Sequence, residues 1–191
     1  LLAPEILAEW FEVRALAQTP GFSGHVSDLG GPTANMYRMR CTKPEAEAVC
    51  RRLSCVHPTV CKLLGTSHEP TKALMREARA VPGVVKVHIA SGIRMDLARK
   101  DPEYLDELAA HHVGGHLKVA PEHVSERVLA RMKKPGIEAF EEFAERFEAA
   151  SRRAGKEQFL VPYFIASHPG STVEDMIELA IFLKQRGYRP R

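Results

Sequence analysis

Residues 82–123, PGVVKVHIASGIRMDLARKDPEYLDELAAHHVGGHLKVAPEH, decide the fold. A Pro-Gly turn opens the run. Val84 to Ala90 (VVKVHIA) follows, β-branched and nearly continuous in apolar character, the composition of a strand buried on both faces as in a parallel sheet. Asp101-Pro102 then sets an N-cap with proline at the first helical position, which predicts a helix through about His111. Gly114-Gly115 closes that helix, and His116 to Ala120 (HLKVA) reads as the next strand. A strand, a helix and a second strand at this spacing predict a parallel βαβ unit.

The same alternation extends in both directions. Residues 4–18 place Ile6, Leu7, Trp10, Val13 and Leu16 at helical spacing between Pro4 and Pro20-Gly21. Phe22 to Leu29 reads as a short strand that runs into Gly30-Gly31-Pro32, and Glu69 to Val81 reads as a helix. On the other side, Ser125 caps a short helix to Met132. A longer helix from Ile137 to Arg153 ends at Gly155, with Phe140, Phe143 and Phe147 as its core-facing stripe. Gln158 to Ala166 (QFLVPYFIA) is the fourth strand. Thr172 and Asp175 form a capping box for a helix that carries Met176, Leu179, Ala180 and Leu183 before Gly187. The fold class expected is α/β with parallel strands. In such folds ligands gather at the carboxyl ends of the strands, here Asp28 to Thr33, Ser91 to Asp96, Pro121 to His123 and Ser167 to Gly170, all polar or glycine-rich.

Composition narrows the function classes. The 191 residues are 45% hydrophobic, and the net charge of +3 comes from 27 basic and 24 acidic residues mixed along the chain, which argues for no particular partner. Apolar stretches such as Phe159 to Ala166 are too short to span a bilayer and no signal peptide opens the chain, so the expectation is a soluble, cytoplasmic protein with no membrane partner. Arg127, Arg131 and Lys134 lie at helical spacing but beside Glu126 and an acidic run, the pattern of a solvated helix face; nucleic acid is not indicated. His111, His112 and His116 read as metal ligands or as capping and packing residues, and the divergent directions of the adjacent pair favour the second. The chain starts Leu1-Leu2 and stops at Arg191 after a helix that should lead into another strand, so it is expected to be an internal piece. Its cysteines, Cys41, Cys50, Cys55 and Cys61, cluster in a long insertion, 36–69, that an ordinary βα connection would not need. Such a cluster in a cytosolic protein binds metal, as zinc or an iron–sulfur cluster, or stays reduced as free thiols packed against Leu53 and Leu63.

Four motifs in order, SDLGGPTANMYRMRC (27–41), IASGIRMDLA (89–98), HHVGGHLKVAPEH (111–123) and PYFIASHPGSTVEDM (162–176), closely resemble the YgiQ-type radical-SAM family. The resemblance runs the length of the chain and implies a partial TIM-type (β/α) barrel, with residues 1–191 forming part of one barrel domain. It further implies a [4Fe-4S] cluster held by a CxxxCxxC motif, with S-adenosylmethionine cleaved reductively to a 5′-deoxyadenosyl radical that acts on an unassigned substrate. An electron donor such as flavodoxin or ferredoxin is the implied partner. This chain departs from the pattern in one respect: it contains no CxxxCxxC, so the cluster-binding strand is expected upstream and the piece alone is expected to be inactive.

The resemblance assigns roles at the strand ends. Gly30 and Gly31 match the glycine-rich motif whose backbone faces the methionine amino group, and Asp28 bonds either that ammonium group or a backbone N–H. Arg94 holds the cofactor carboxylate bidentately or forms a loop-bracing pair with Asp96. Glu122 is the ligand-facing carboxylate, and His123 is a proton-handling or structural histidine. His168-Pro169-Gly170 resembles the turn after the fifth barrel strand, which makes Ile165 and Ala166 candidates for contact with adenine. The alternative to an enzyme is a noncatalytic, metal-stabilised α/β binding module. A metal-dependent hydrolase is the weaker rival, because the strand ends offer no His-x-His or carboxylate cluster.

Overall fold

The structure, a computed structural model, describes residues 4–30 and 33–188, and side chains from residue 11 onward. In chain order the elements are α1 (Pro4–Ala17), β1 (His25–Val26), a 3-10 turn (Ala34–Met36), α2 (Pro44–Glu47), α3 (Glu69–Ala80), β2 (Lys86–Val87), α4 (Met95–Ala98), α5 (Pro102–Glu107), a π-helical turn (Leu108–His112), β3 (His116–Glu122), α6 (Glu126–Arg131), α7 (Ile137–Arg153), β4 (Phe159–Phe164) and α8 (Val173–Gln185). The chain is α/β, and the described strands run parallel in two pairs, β1 with β2 and β3 with β4. No helix among the described residues is long and apolar enough to cross a membrane.

The first two strands are shorter than their apolar runs. Phe22 to Leu29 narrows to His25–Val26 and Val84 to Ala90 to Lys86–Val87, because regular pairing holds only where both backbones stay in register. Single hydrogen bonds carry the ladder further: Val85 N–H to Gly24 O at 2.7 Å, His88 N–H to Val26 O at 2.9 Å and Leu29 N–H to His88 O at 2.7 Å. Nor is β2 buried on both faces. Val87 and Ile89 enter the core while Val85 is 76% exposed, so the run alternates like a strand with one open face. β3 extends two residues beyond the expected end, through Glu122.

One core joins both strand pairs. Val26, Val87, Leu117 and Val119 from the strands meet Met75 of α3, Leu105 of α5, and Phe140, Phe143 and Phe147 of α7. The expected stripe on α7 is therefore the one that packs, with the Phe143 and Phe147 rings stacked at 6.0 Å. α5 begins as expected, Asp101 accepting the Tyr104 amide at 3.0 Å, but its last turn loosens into the π-helical turn that carries His112 into the core. The capping box of α8 is present in both directions. Ser125, however, does not cap α6; its hydroxyl donates to Asp175 at 2.7 Å and ties the end of β3 to the start of α8. That bond, with the Thr172 amide and Arg127, holds the Asp175 carboxyl well below the usual range. Arg127 is exposed, as expected of a solvated helix face, and also bonds Gly170 O at 2.9 Å and Asp175, so it braces α6 against α8.

His112 makes a pH prediction. The ring is fully buried, Nδ1 lies 2.9 Å from Val87 O, and Nε2 has no partner among the described residues. Burial, reinforced by the nearby Arg79 charge, pushes its pKa down to about 3. A folded-state pKa below the unfolded value means that the unfolded chain takes up the proton first. Stability is therefore fully present above about pH 6.5 and falls as pH drops below it, by up to about 1.4 kcal/mol per pH unit from this residue. Urea midpoints measured from pH 7.5 to 4.5 should fall more steeply for the wild type than for His112→Phe. Parallel curves would assign the acid sensitivity elsewhere.

Candidate functional site

The loops after β2 and β3 enclose a cavity of about 650 Å³, within the size range of small-molecule sites. Three expected residues, Arg94, Asp96 and Glu122, line it, together with Ser91, Lys118, Lys134 and Tyr163. The Arg94 guanidinium pairs with Asp96: Nη2 donates to Oδ2 at 3.1 Å, and Nε lies 2.9 Å from Oδ1 as an ionic contact without hydrogen-bond alignment. Glu122 pairs with Lys134 Nζ at 2.8 Å. Both carboxylates on the wall thus have a cation beside them, while Lys118 has no ion-pair partner among the described residues, so the cavity offers an anionic ligand group a net positive field.

Backbone irregularity aims these groups. The β3–β4 register shifts between Val119 and Glu122, and Glu122 adopts φ +69°, a left-handed conformation that costs a non-glycine residue about 1–3 kcal/mol. The bulge turns the Glu122 side chain into the cavity while its carbonyl still accepts the Ile165 amide at 2.7 Å. Lys133, at φ +55°, likewise reverses the chain after α6 so that Lys134 reaches back to Glu122. Sequence reading put Lys134 on a solvated helix face; only the Pro135-Gly136 turn that follows it signalled the reversal. Lys118 and Tyr163 were also missed. Strand alternation was their signal, since Lys118 points away from the face that buries Leu117 and Val119.

Other expected residues lie around the cavity instead of lining it. Asp28 accepts the amides of Ala90 at 2.7 Å and Ser91 at 3.2 Å and also bonds the Ser91 hydroxyl, so it braces the β2 end, the backbone-bonding option of the two open to it. Gly30 has φ +120°, and a Cβ there would meet that of Ala34 at 2.6 Å, so the turn requires glycine. Gly31 lies outside the described residues. Ile165 and Ala166 are exposed beyond the end of β4 and do not line the cavity. His123 is fully buried, its Nδ1 accepting the Ser125 amide at 3.0 Å while Nε2 has no partner among the described residues, and burial lowers its pKa.

The cysteines are dispersed. Cys50 and Cys55 are exposed, Cys41 and Cys61 half-buried, and Cys41 Sγ donates to Lys43 O at 3.4 Å. Among the described residues no three His, Cys, Asp or Glu side chains are placed to hold a metal ion. Leu53 is 96% exposed, so packing against it does not account for the free thiols.

The chain is 59% identical over 172 residues to a UPF0313 protein of Shewanella oneidensis, 56% over 184 residues to one of Chromobacterium violaceum, and 55% over 179 residues to the UPF0313 protein YgiQ of Escherichia coli K12. It belongs to the UPF0313 family. These matches take in 90%, 96% and 93% of this chain but 22%, 24% and 24% of the relatives, so the chain spans about a quarter of the length of the curated UPF0313 proteins it matches. No family model matches it. The Chromobacterium match leaves too few residues over to exclude any part of the cavity wall, so the UPF0313 likeness includes the whole of it.

Proposed function

We propose that this segment of a UPF0313 protein forms the cofactor-binding wall of a radical-SAM barrel enzyme. The observation that carries the reading is the cavity at the carboxyl ends of β2 and β3, lined by Arg94, Asp96 and Glu122. Its donor set fits S-adenosylmethionine, whose amino-acid end is zwitterionic: Arg94 and Lys118 suit the carboxylate, and Glu122 and Asp96 suit the ammonium and sulfonium charges. When bound with a reduced [4Fe-4S] cluster, the cofactor supplies one-electron cleavage of its sulfonium and hydrogen abstraction from a substrate. This chain's residues contribute placement. The Asp28 brace fixes the β2 end, the Asp96 pair orients the Arg94 fork, and the Glu122 bulge directs a carboxylate inward. The three thiolates for the cluster would come from the parent protein outside this stretch. A second cluster or a zinc ion at Cys41, Cys50, Cys55 and Cys61 would require the insertion to close around it.

Completion into a barrel within the longer parent is consistent with what stays uncovered. Phe159, Tyr163 and Ile165 near β4 and Val173, Ile177 and Ile181 on α8 are all exposed, and further strands and helices would bury them. The test uses the intact parent protein, reconstituted anaerobically with iron and sulfide and given a strong reductant, or reduced flavodoxin, with S-adenosylmethionine. The expected products are 5′-deoxyadenosine and methionine in equal amounts. A protein with a verified cluster that forms neither, with or without cell extract as a source of substrate, would overturn the assignment.

A further inference from the structure

Asn35 is completely buried, and its carboxamide closes on the main chain of one residue. Oδ1 accepts the Arg94 N–H at 2.6 Å and Nδ2 donates to Arg94 O at 3.0 Å. The other Nδ2 hydrogen is directed at His68 Nε2, 3.2 Å away. Because Oδ1 must face an N–H, the amide has one orientation, and His68 Nε2 must be the acceptor. The imidazole proton then sits on Nδ1, 3.3 Å from Asp101 Oδ2, an electrostatic contact rather than an aligned hydrogen bond. His68 is itself immobilised, 1% exposed and stacked on Tyr104 at 4.5 Å, and Asp101 is anchored as the cap of α5. Asn35 and His68 also flank residues 36–67, the insertion with all four cysteines, so the same bond closes the base of that loop.

We propose that Asn35, oriented by His68 and Asp101, is a positioning residue that clamps the Arg94 backbone at the cavity wall, and that the cysteine-bearing insertion is thereby coupled to the cavity. The functional part rests on reading the cavity as the S-adenosylmethionine site. Arg94 is then fixed at two points, its main chain by Asn35 and its guanidinium by Asp96. Without Asn35, the Arg94 N–H loses its partner, the Arg94 carbonyl keeps only the Ala98 amide at 3.0 Å, and the loop after β2 is free to shift.

Two readouts on the intact, cluster-reconstituted parent protein test this. The first is S-adenosylmethionine binding by calorimetry. Asn35→Ala and His68→Leu should each weaken it about tenfold, the loss of roughly one buried hydrogen bond. His68→Gln, whose amide again offers one acceptor and one donor, should stay close to wild type, and Asn35→Ala should add little to Arg94→Ala. The second is exchange of the Arg94 amide hydrogen without ligand, which Asn35→Ala and His68→Leu should speed by at least about tenfold and His68→Gln should leave unchanged. If Arg94→Ala weakens binding while Asn35→Ala alters neither affinity nor exchange, the clamp is wrong and the cavity reading survives. If Arg94→Ala binds like wild type, the cavity reading fails; fast Arg94 exchange in Asn35→Ala then supports the clamp, and wild-type exchange overturns it too.

Discussion

Replacing Phe143 by alanine is expected to lower the stability of the protein by about 3–5 kcal/mol, the range for removing a buried aromatic side chain. Phe143 is fully buried, stacks on Phe147 at 6.0 Å, and belongs to the core cluster that also takes in residues of both strand pairs. It leaves a cavity bordered by other ring and branched side chains, which cannot collapse into the space without moving whole elements. Denaturant titration should show a lower midpoint with an unchanged slope. A loss under about 1 kcal/mol would mean that α7 is not the keystone of this core. Leu53, 96% exposed in the insertion, is the internal control, since its removal should change stability by less than about 0.5 kcal/mol.

Arg94→Ala is expected to weaken S-adenosylmethionine binding by roughly 10- to 100-fold in the intact protein, as lost charge-assisted hydrogen bonds are each worth about 1.5–3 kcal/mol. The same change strips Asp96 of its cationic partner in a site where that carboxylate is nearly buried, so a loss of stability accompanies it. The two effects separate in a second variant. Arg94→Ala with Asp96→Ala removes the unpaired carboxylate and should recover most of the stability but none of the affinity. Lys at position 94 keeps the charge without the planar fork and should fall between. Calorimetry paired with thermal unfolding reads both quantities. If affinity returns together with stability in the double variant, Arg94 acts only as a loop brace.

These expectations rest on features of unequal legibility. α7 could be read to the residue because its signals are local: a Pro-Gly start, a stripe at three and four spacing, and a glycine stop, all within one stretch of chain. The caps at Asp101 and Thr172 were legible for the same reason, since a cap and its target amide are three residues apart. β1 and β2 were legible as centres but not as lengths. Val85 has the same strand propensity as Val87, and only the surrounding elements decide that one is exposed and the other buried. The cavity carboxylates and Arg94 could be named from the strand-end motifs, whereas Lys118, Lys134 and Asn35 reach the site through a face choice, a chain reversal and a contact across 59 residues.

The sequence by itself determined the order and kind of the longer elements and the parallel α/β class, because periodicity, capping and turn residues act over a few neighbours. Tertiary structure alone decided which strand face is open, that Glu122 would be turned inward through a bulge, and that Asn35 would lock the Arg94 backbone against His68. Those outcomes depend on hydrogen bonds between residues far apart in the chain, whose formation is governed by the packing of the whole core and is written in no local pattern.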